Sequence, residues 1–194
     1  WNALTGYWEY RAADGGLTDL TSKDMCICFC EAWLSSAQSQ GIFCAINGRT
    51  TITNMRWVEA SKLDNSFRGS NLEVAVIGEA SGSAMPQSLF GTFCYCPKLR
   101  KIIGVIDLQY ASTATIEFRN SPLLEEVRLM RMKMNVDLSY SKLISKDSIR
   151  YMIRNAAPTT AITIKLALEP YLIFSGDKDV VNDLARQPLI TLIS

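Results

Sequence analysis

Six cysteines, at Cys26, Cys28, Cys30, Cys44, Cys94 and Cys96, come nearest by type and spacing to residues that do chemistry. Cys-x-Cys spacing puts two side chains on one face of a strand, one pleat repeat apart. A metal centre would want paired Cys-x-x-Cys ligands or added histidine, and the chain has neither. A disulfide framework is an open alternative, although a chain of this length does not need one for stability. A metal site is the other alternative. The reading taken is free thiols packed as small apolar side chains. The absence of histidine removes Ser-His-Asp and Cys-His catalysis, the usual zinc hydrolase sites and the ordinary pH switch. Glu125 and Glu126 are adjacent, so on a strand they point to opposite faces and make a poor acid/base pair. Asp177 and Asp179 lack the glycine and closing glutamate of a calcium loop, and read instead as acids at a helix start. No phosphate loop, nucleophile elbow or dinucleotide fingerprint occurs. No enzyme activity and no cofactor are expected.

Charge points to binding instead. The formal net charge is +1 over 194 residues, which gives no global reason to expect nucleic acid or an anionic membrane. Within residues 98–165, however, 12 Lys/Arg face 6 Asp/Glu. Arg100, Lys101, Arg128, Arg131 and Lys133 are the candidate contact residues, because adjacent strands would align them into a basic stripe. The plainer reading is a solvated face whose charges protect strand edges. The functional reading is a stripe for an anionic glycan or an acidic protein patch. Nucleic acid is not expected, since no aromatic-interleaved binding motif accompanies the charges.

The elements that must position these residues show themselves in three stretches: FRGSNLEVAVI, FCYCPKLRKII and FRNSPLLEEVRL. Their leading residues Phe67, Phe93 and Phe118 lie 26 and 25 residues apart. From Phe118, the offsets of three, six and nine fall on Ser121, Leu124 and Val127, with Leu129 following. From Phe93 the same offsets fall on Cys96, Leu99 and Ile102. From Phe67 the first offset falls on Ser70, while Leu72 and Val74 arrive early, as in a shorter turn. That period lies in the range of leucine-rich repeats. Each unit places a few aliphatics inward, and neighbouring units stack because no single unit covers its own apolar face. Phe118, Ser121, Leu124, Val127 and Leu129 are therefore expected inside.

The pattern aromatic-x-x-Cys/Ser-x-x-Leu-x-x-Ile/Val resembles the BspA-like leucine-rich repeat family. The resemblance covers about residues 64–130 and extends in outline over 50–194. The chain departs from the family pattern in the short Phe67 unit, in the scarcity of turn glycines and in the expanded return segment at Ala84–Met85–Pro86. The resemblance implies a solenoid and a binding role, with no catalytic residues to carry over. Such repeats are typical of surface proteins of gut anaerobes and occur in their phages.

The flanks differ from the repeats. Trp1, Tyr7, Trp8 and Tyr10 suit an N-terminal cap over an otherwise bare end, with a carbohydrate platform as the sharper alternative. MCICFCEAWL is a buried strand or helix that periodicity does not decide. Asn47–Gly48 favours a tight turn, and MRWVEA supplies another strand. Toward the C-terminus, SKDSIRYMIRNAAP reads as a helix with Ser145 as N-cap, Asp147 in its first turn, Arg154 near its end and Ile149, Met152 and Ile153 inward. AITIKLAL reads as a strand with Ile162, Ile164 and Leu166 on one side. GDKDVVNDLARQP repeats the helical scheme with Val180, Val181 and Leu184 inward, and LITLIS closes as a strand.

The expected architecture is an α/β solenoid: a degenerate leucine-rich repeat with short stacked strands, an atypical N-terminal cap and helix–strand C-terminal units. It forms one domain over 1–194, with a cap at 1–45, repeats at 46–144 and helix–strand units at 145–194. The expected function is a non-enzymatic recognition or adhesion module on a cell surface or virion, binding a protein or glycan ligand. The alternative is an assembly part, a phage tail-fibre tip or adhesin stalk, as a homo-oligomer that would be a trimer in a fibre. No apolar run approaches the roughly 20 residues a membrane span needs. The chain starts at Trp1, without Met or a signal peptide's basic and apolar regions, and reads as a fragment or processed product.

Overall fold

The structure, a computed structural model, describes residues 25–28, 50–53, 67–76, 88–112 and 115–194. The aromatic segment at 1–10, the Asn47–Gly48 turn, the Trp57 strand and Ala84–Met85–Pro86 lie outside the described residues.

Every strand pairing among the described residues is parallel. β1 (Met25–Cys28) pairs with β2 (Thr50–Thr53), and β3 (Val74–Val76) with β4 (Lys101–Ile103). β5 (Ile106–Asp107) pairs with β7 (Leu129–Met130). The largest sheet orders β6 (Thr115–Glu117), β8 (Asn135–Leu138), β9 (Ile162–Leu166) and β10 (Ile190–Ile193) as β10-β9-β8-β6. Parallel pairing forces a crossover of a dozen or more residues between partners. In the C-terminal part, helices fill the crossovers: α1 (Lys146–Asn155), then α2 (Leu168–Phe174) and α3 (Lys178–Ala185). The undecided MCIC stretch is strand.

Residues that share an offset in the sequence lie beside one another. The Phe67 and Phe93 rings stack at 5.6 Å between centroids and 3° between planes, and Phe93 and Phe118 at 6.3 Å and 8°. Offset aromatic stacking adds to the large area each ring buries. Next to this column, Ser70, Cys96, Ser121 and Ser141 form a second, wholly buried one. The Ser121 hydroxyl donates to the Phe93 carbonyl at 2.8 Å and accepts from the Cys96 amide at 3.3 Å. The Cys96 thiol donates to the Phe67 carbonyl at 3.1 Å, and Ser141 Oγ to the Ser121 carbonyl at 3.3 Å. A small polar side chain at this position satisfies backbone groups of the preceding segment that would otherwise be buried unpaired.

Phe118, Ser121, Leu124, Val127 and Leu129 are all buried, and so are Leu72, Leu99, Ile144 and Ile102. One apolar cluster runs from Phe67 to Leu192. α1 is capped by Ser145, whose hydroxyl accepts from Ser148 N at 3.2 Å, and buries Ile149, Met152 and Ile153. β9 buries Ile162, Ile164 and Leu166.

Two expectations are corrected. Val181 is 45% exposed rather than inward. α3 turns its Asp179 and Asp183 side toward α1, and at 100° per residue Val181 falls on the opposite side. The residue buried in its place is Asp183. Residue 168 ends no strand: β9 stops at Leu166, and Leu168 opens α2, a helix absent from the sequence reading.

Candidate functional site

The five candidate basic residues do come onto neighbouring segments, but the side chains of four of them meet an acid or a carbonyl. Arg100 contacts Glu125 Oε1 through Nε at 3.0 Å and Nη2 at 2.6 Å. Arg128 lies 3.5 Å from Glu126, with its guanidinium 5.7 Å from the Tyr151 ring centroid. Arg131 binds the buried carboxylate of Asp107 through two nitrogens, one of them Nε to Oδ1 at 2.8 Å. Lys133 donates to the Gln109 carbonyl at 3.3 Å. Lys101 is exposed and bridges by backbone to Glu126, with no carboxylate among the described residues within ion-pair distance. The geometry is thus a mixed-charge face rather than a uniform basic stripe.

Backbone geometry explains why both glutamates reach it. Glu125 N and Glu126 N both donate to the Arg100 carbonyl, at 2.7 and 3.2 Å, just as Arg100 N and Lys101 N share the Glu73 carbonyl at 2.8 and 3.4 Å. Two successive amides on one acceptor break the strand's alternation, as in a bulge. Glu125 and Glu126 therefore line the same groove, where strand alternation alone would have put them on opposite faces.

That open groove, about 350 Å³, is bounded by Lys101, Glu125, Glu126 and Arg128 on one side and by Ser145, Asp147 and Ser148 of the α1 start on the other. Its walls are tied together. Ser145 N donates to the Glu125 carbonyl at 2.8 Å, and Val127 N to Ser148 Oγ at 3.2 Å. The Ser145 and Ser148 hydroxyls lie 2.9 Å apart and serve the helix cap, so neither is placed as a nucleophile beside a base. Charged groups of both signs held on a fixed frame suit recognition of a polar ligand carrying both an acid and a base.

The basic excess in 98–165 also has partners beyond that window. Lys146, Arg150 and Arg154, at helical spacing on α1, meet Asp177, Asp179 and Asp183 at the start and on one face of α3. Burial alone would raise the Asp183 carboxyl, but hydrogen bonds from Arg150 and Arg154 outweigh it and hold the group below the ordinary carboxylate range. Lys146 holds Asp177 low in the same way, assisted by the amides that Asp177 caps. An i, i+4, i+8 basic run facing an acidic i, i+4 pair was readable in the sequence as a helix-to-helix match.

Among the described cysteines, Cys94 and Cys96 are free thiols and buried. Burial pushes Cys96 up to about 11 against the lowering effect of Ser70, and burial raises Cys94 as well. A thiol protonated and enclosed in this way is a poor nucleophile. Alkylation of the native protein near pH 8, read peptide by peptide, is expected to leave Cys94 and Cys96 unmodified until denaturant is added. Rapid native labelling of Cys96 would contradict the packing described. No group of three or more Cys, Asp or Glu among the described residues is arranged to hold a metal ion. No described helix is long and apolar enough to cross a membrane.

No family model matches the chain, and neither do any of the curated proteins or solved structures.

Proposed function

We propose that the chain is a non-enzymatic recognition module: a leucine-rich-repeat-like solenoid, shown to its surroundings on a cell surface or virion, that binds a protein or glycan ligand. The observation that carries this reading is the continuous stack of Phe67, Phe93 and Phe118, with Ser70, Cys96 and Ser121 bonding each segment to the last. Such a frame holds exposed side chains in fixed register, so a ligand pays little ordering entropy on binding. The groove at Lys101 and Arg128 is the contact region. The resemblance to BspA-like repeats supports the same class of role.

An array of glycans and host-surface proteins tests it, with wild type beside Lys101→Glu/Arg128→Glu. The expected result is a ligand held by wild type and lost by the double variant. Arg131 is left intact because its loss would strand the buried Asp107 carboxylate. No ligand for wild type, or a ligand indifferent to the variant, contradicts the assignment of the groove. Light scattering after size exclusion separates this from the assembly reading: a monomer is expected, and an obligate trimer would favour a fibre.

A further inference from the structure

One corner of the molecule alternates arginine with tyrosine. Arg68, Tyr95, Arg119 and Tyr140 come from four successive segments, one or two residues after Phe67, Phe93, Phe118 and Leu138. All four are exposed, Tyr95 by 36% and Tyr140 by 46%. The Arg68 guanidinium lies 4.9 Å from the Tyr95 ring centroid. Tyr95 and then the Glu117 carboxylate raise the Arg119 guanidinium above its ordinary pKa, with a smaller contribution from Tyr140. The backbone beneath is laddered: Gly69 N donates to the Cys94 carbonyl at 3.0 Å, Tyr95 N to the Arg119 carbonyl at 2.6 Å, and Phe118 N to the Asp137 carbonyl at 3.0 Å.

Residue 95 is an unexpected place for a tyrosine. The equivalent turn positions Gly69, Tyr95 and Asn120 all have left-handed backbone, with φ of 76°, 60° and 54°. Glycine and asparagine adopt that conformation readily, whereas a bulky side chain does so at a cost. The ring lies outside the core, 36% exposed and partly covered by the Arg68 guanidinium. Arg131 shares this conformation, with φ of 52°, and its side chain serves the contact to Asp107; at Tyr95 the same cost points to a contact made by the ring.

We propose that this corner is a track for a linear anionic polysaccharide bearing one acidic group per disaccharide. Guanidinium groups bind carboxylate or sulfate in a directed, forked geometry, and a tyrosine ring covers the apolar face of a pyranose. Like residues recur at every second segment, on the order of 10 Å apart at parallel-strand spacing. That distance is comparable to the advance of one disaccharide in an extended chain. Arginine and tyrosine are also the residues that most often dominate contact energies. Glu117, 3.7 Å from Arg119, disfavours a polymer charged at every unit, such as a nucleic acid or an acidic peptide. The assignment rests on the recognition reading above but uses a face separate from the groove.

The test is calorimetry with a hyaluronan octasaccharide, whose disaccharide carries one carboxylate, at low and moderate salt. Wild type is expected to bind, more weakly as salt screens the arginines. Tyr95→Asn/Tyr140→Asn is expected to lose at least about tenfold in affinity. Asparagine at position 120 already occupies the backbone conformation of Tyr95, and an unchanged unfolding midpoint of the double variant will show that the fold is kept. Arg119→Gln should lose affinity similarly, Glu117→Gln should gain it, and Lys101→Glu/Arg128→Glu should bind as wild type does. Absence of hyaluronan binding, indifference to the tyrosine pair, or equal binding of polyglutamate or oligo-dT each overturns the assignment. Absence of hyaluronan binding beside an array ligand that is held by wild type and lost by the groove variant overturns the track alone and leaves the recognition reading standing.

Discussion

Phe93→Ala is expected to lower the unfolding free energy by about 3–5 kcal/mol, the largest effect of any single truncation considered. Phe93 is the middle ring of the column, with Phe67 stacked on one face and Phe118 on the other. Truncation removes contact from two neighbours at once and opens a cavity between segments that are held apart by their own backbone bonds. The surroundings have little freedom to collapse into it, since Phe67 N is fixed to the Thr92 carbonyl at 3.1 Å and Ser121 Oγ to the Phe93 carbonyl. Urea denaturation measures the loss as a lower midpoint at unchanged slope. Phe93→Leu keeps most of the volume and is expected to cost less than about 2 kcal/mol. A loss below about 1 kcal/mol for the alanine variant, on the scale of an ordinary surface substitution, would mean that the rings do not pack in one column.

Asp183→Ala is the second large effect. The Asp183 side chain is only 2% exposed and accepts from Arg150 Nε at 2.8 Å and Arg154 Nε at 2.9 Å. Removing it leaves Arg150 half-buried and short of a partner, at a cost on the order of 3 kcal/mol, moderated because Asp179 still contacts Arg150 at 2.8 Å. The pH dependence follows with a definite sign. Asp183 and Asp177 both have folded pKa values below their unfolded ones. Their contribution to stability is therefore complete above the ordinary carboxylate range and is lost as pH falls below about 4, through the depressed folded values. Wild type is expected to lose stability steeply in that window, and Asp183→Asn less steeply, because one of the two titrating groups is gone. Equal acid slopes for the two proteins would contradict the pairing of α1 with α3.

The interior was more legible than the surface. Phe67, Phe93 and Phe118 announced their relation by spacing alone, because burial depends on side-chain type and on period, and both are written locally. The C-terminal elements were legible for a similar reason: Ser145 and Asp177 are capping residues, and the apolar positions after Ser145 recur at helical spacing. α2 left no such mark. Its N-cap is Ala167 with no side-chain cap bond, Pro170 sits in its first turn, and it follows β9 after one residue. The charged surface misled because pairing across segments is not a local property. A count over 98–165 separates Lys146, Arg150 and Arg154 from the acids of α3 that neutralise them. Glu125 and Glu126 share a face because two amides converge on one carbonyl, a backbone detail that alternation does not encode. The Arg68–Tyr95–Arg119–Tyr140 corner escaped a search for interleaved basic and aromatic residues because its members are about one period apart rather than adjacent.

The most direct test of the account is native-state hydrogen exchange on the free chain, since every contact surface named rests on one preformed body. The diagnostic amides are those that bond one segment to the next: Gly69, Arg100, Tyr95, Glu125 and Ser145, donating to Cys94, Glu73, Arg119, Arg100 and Glu125 respectively. They are expected to be strongly protected and to open together, at one shared free energy, as a single cooperative unit does. Phe93→Ala should lower that shared value for all five. Exchange of these amides at unprotected rates, or at unrelated free energies in each segment, would contradict the claim that the segments form one rigid frame.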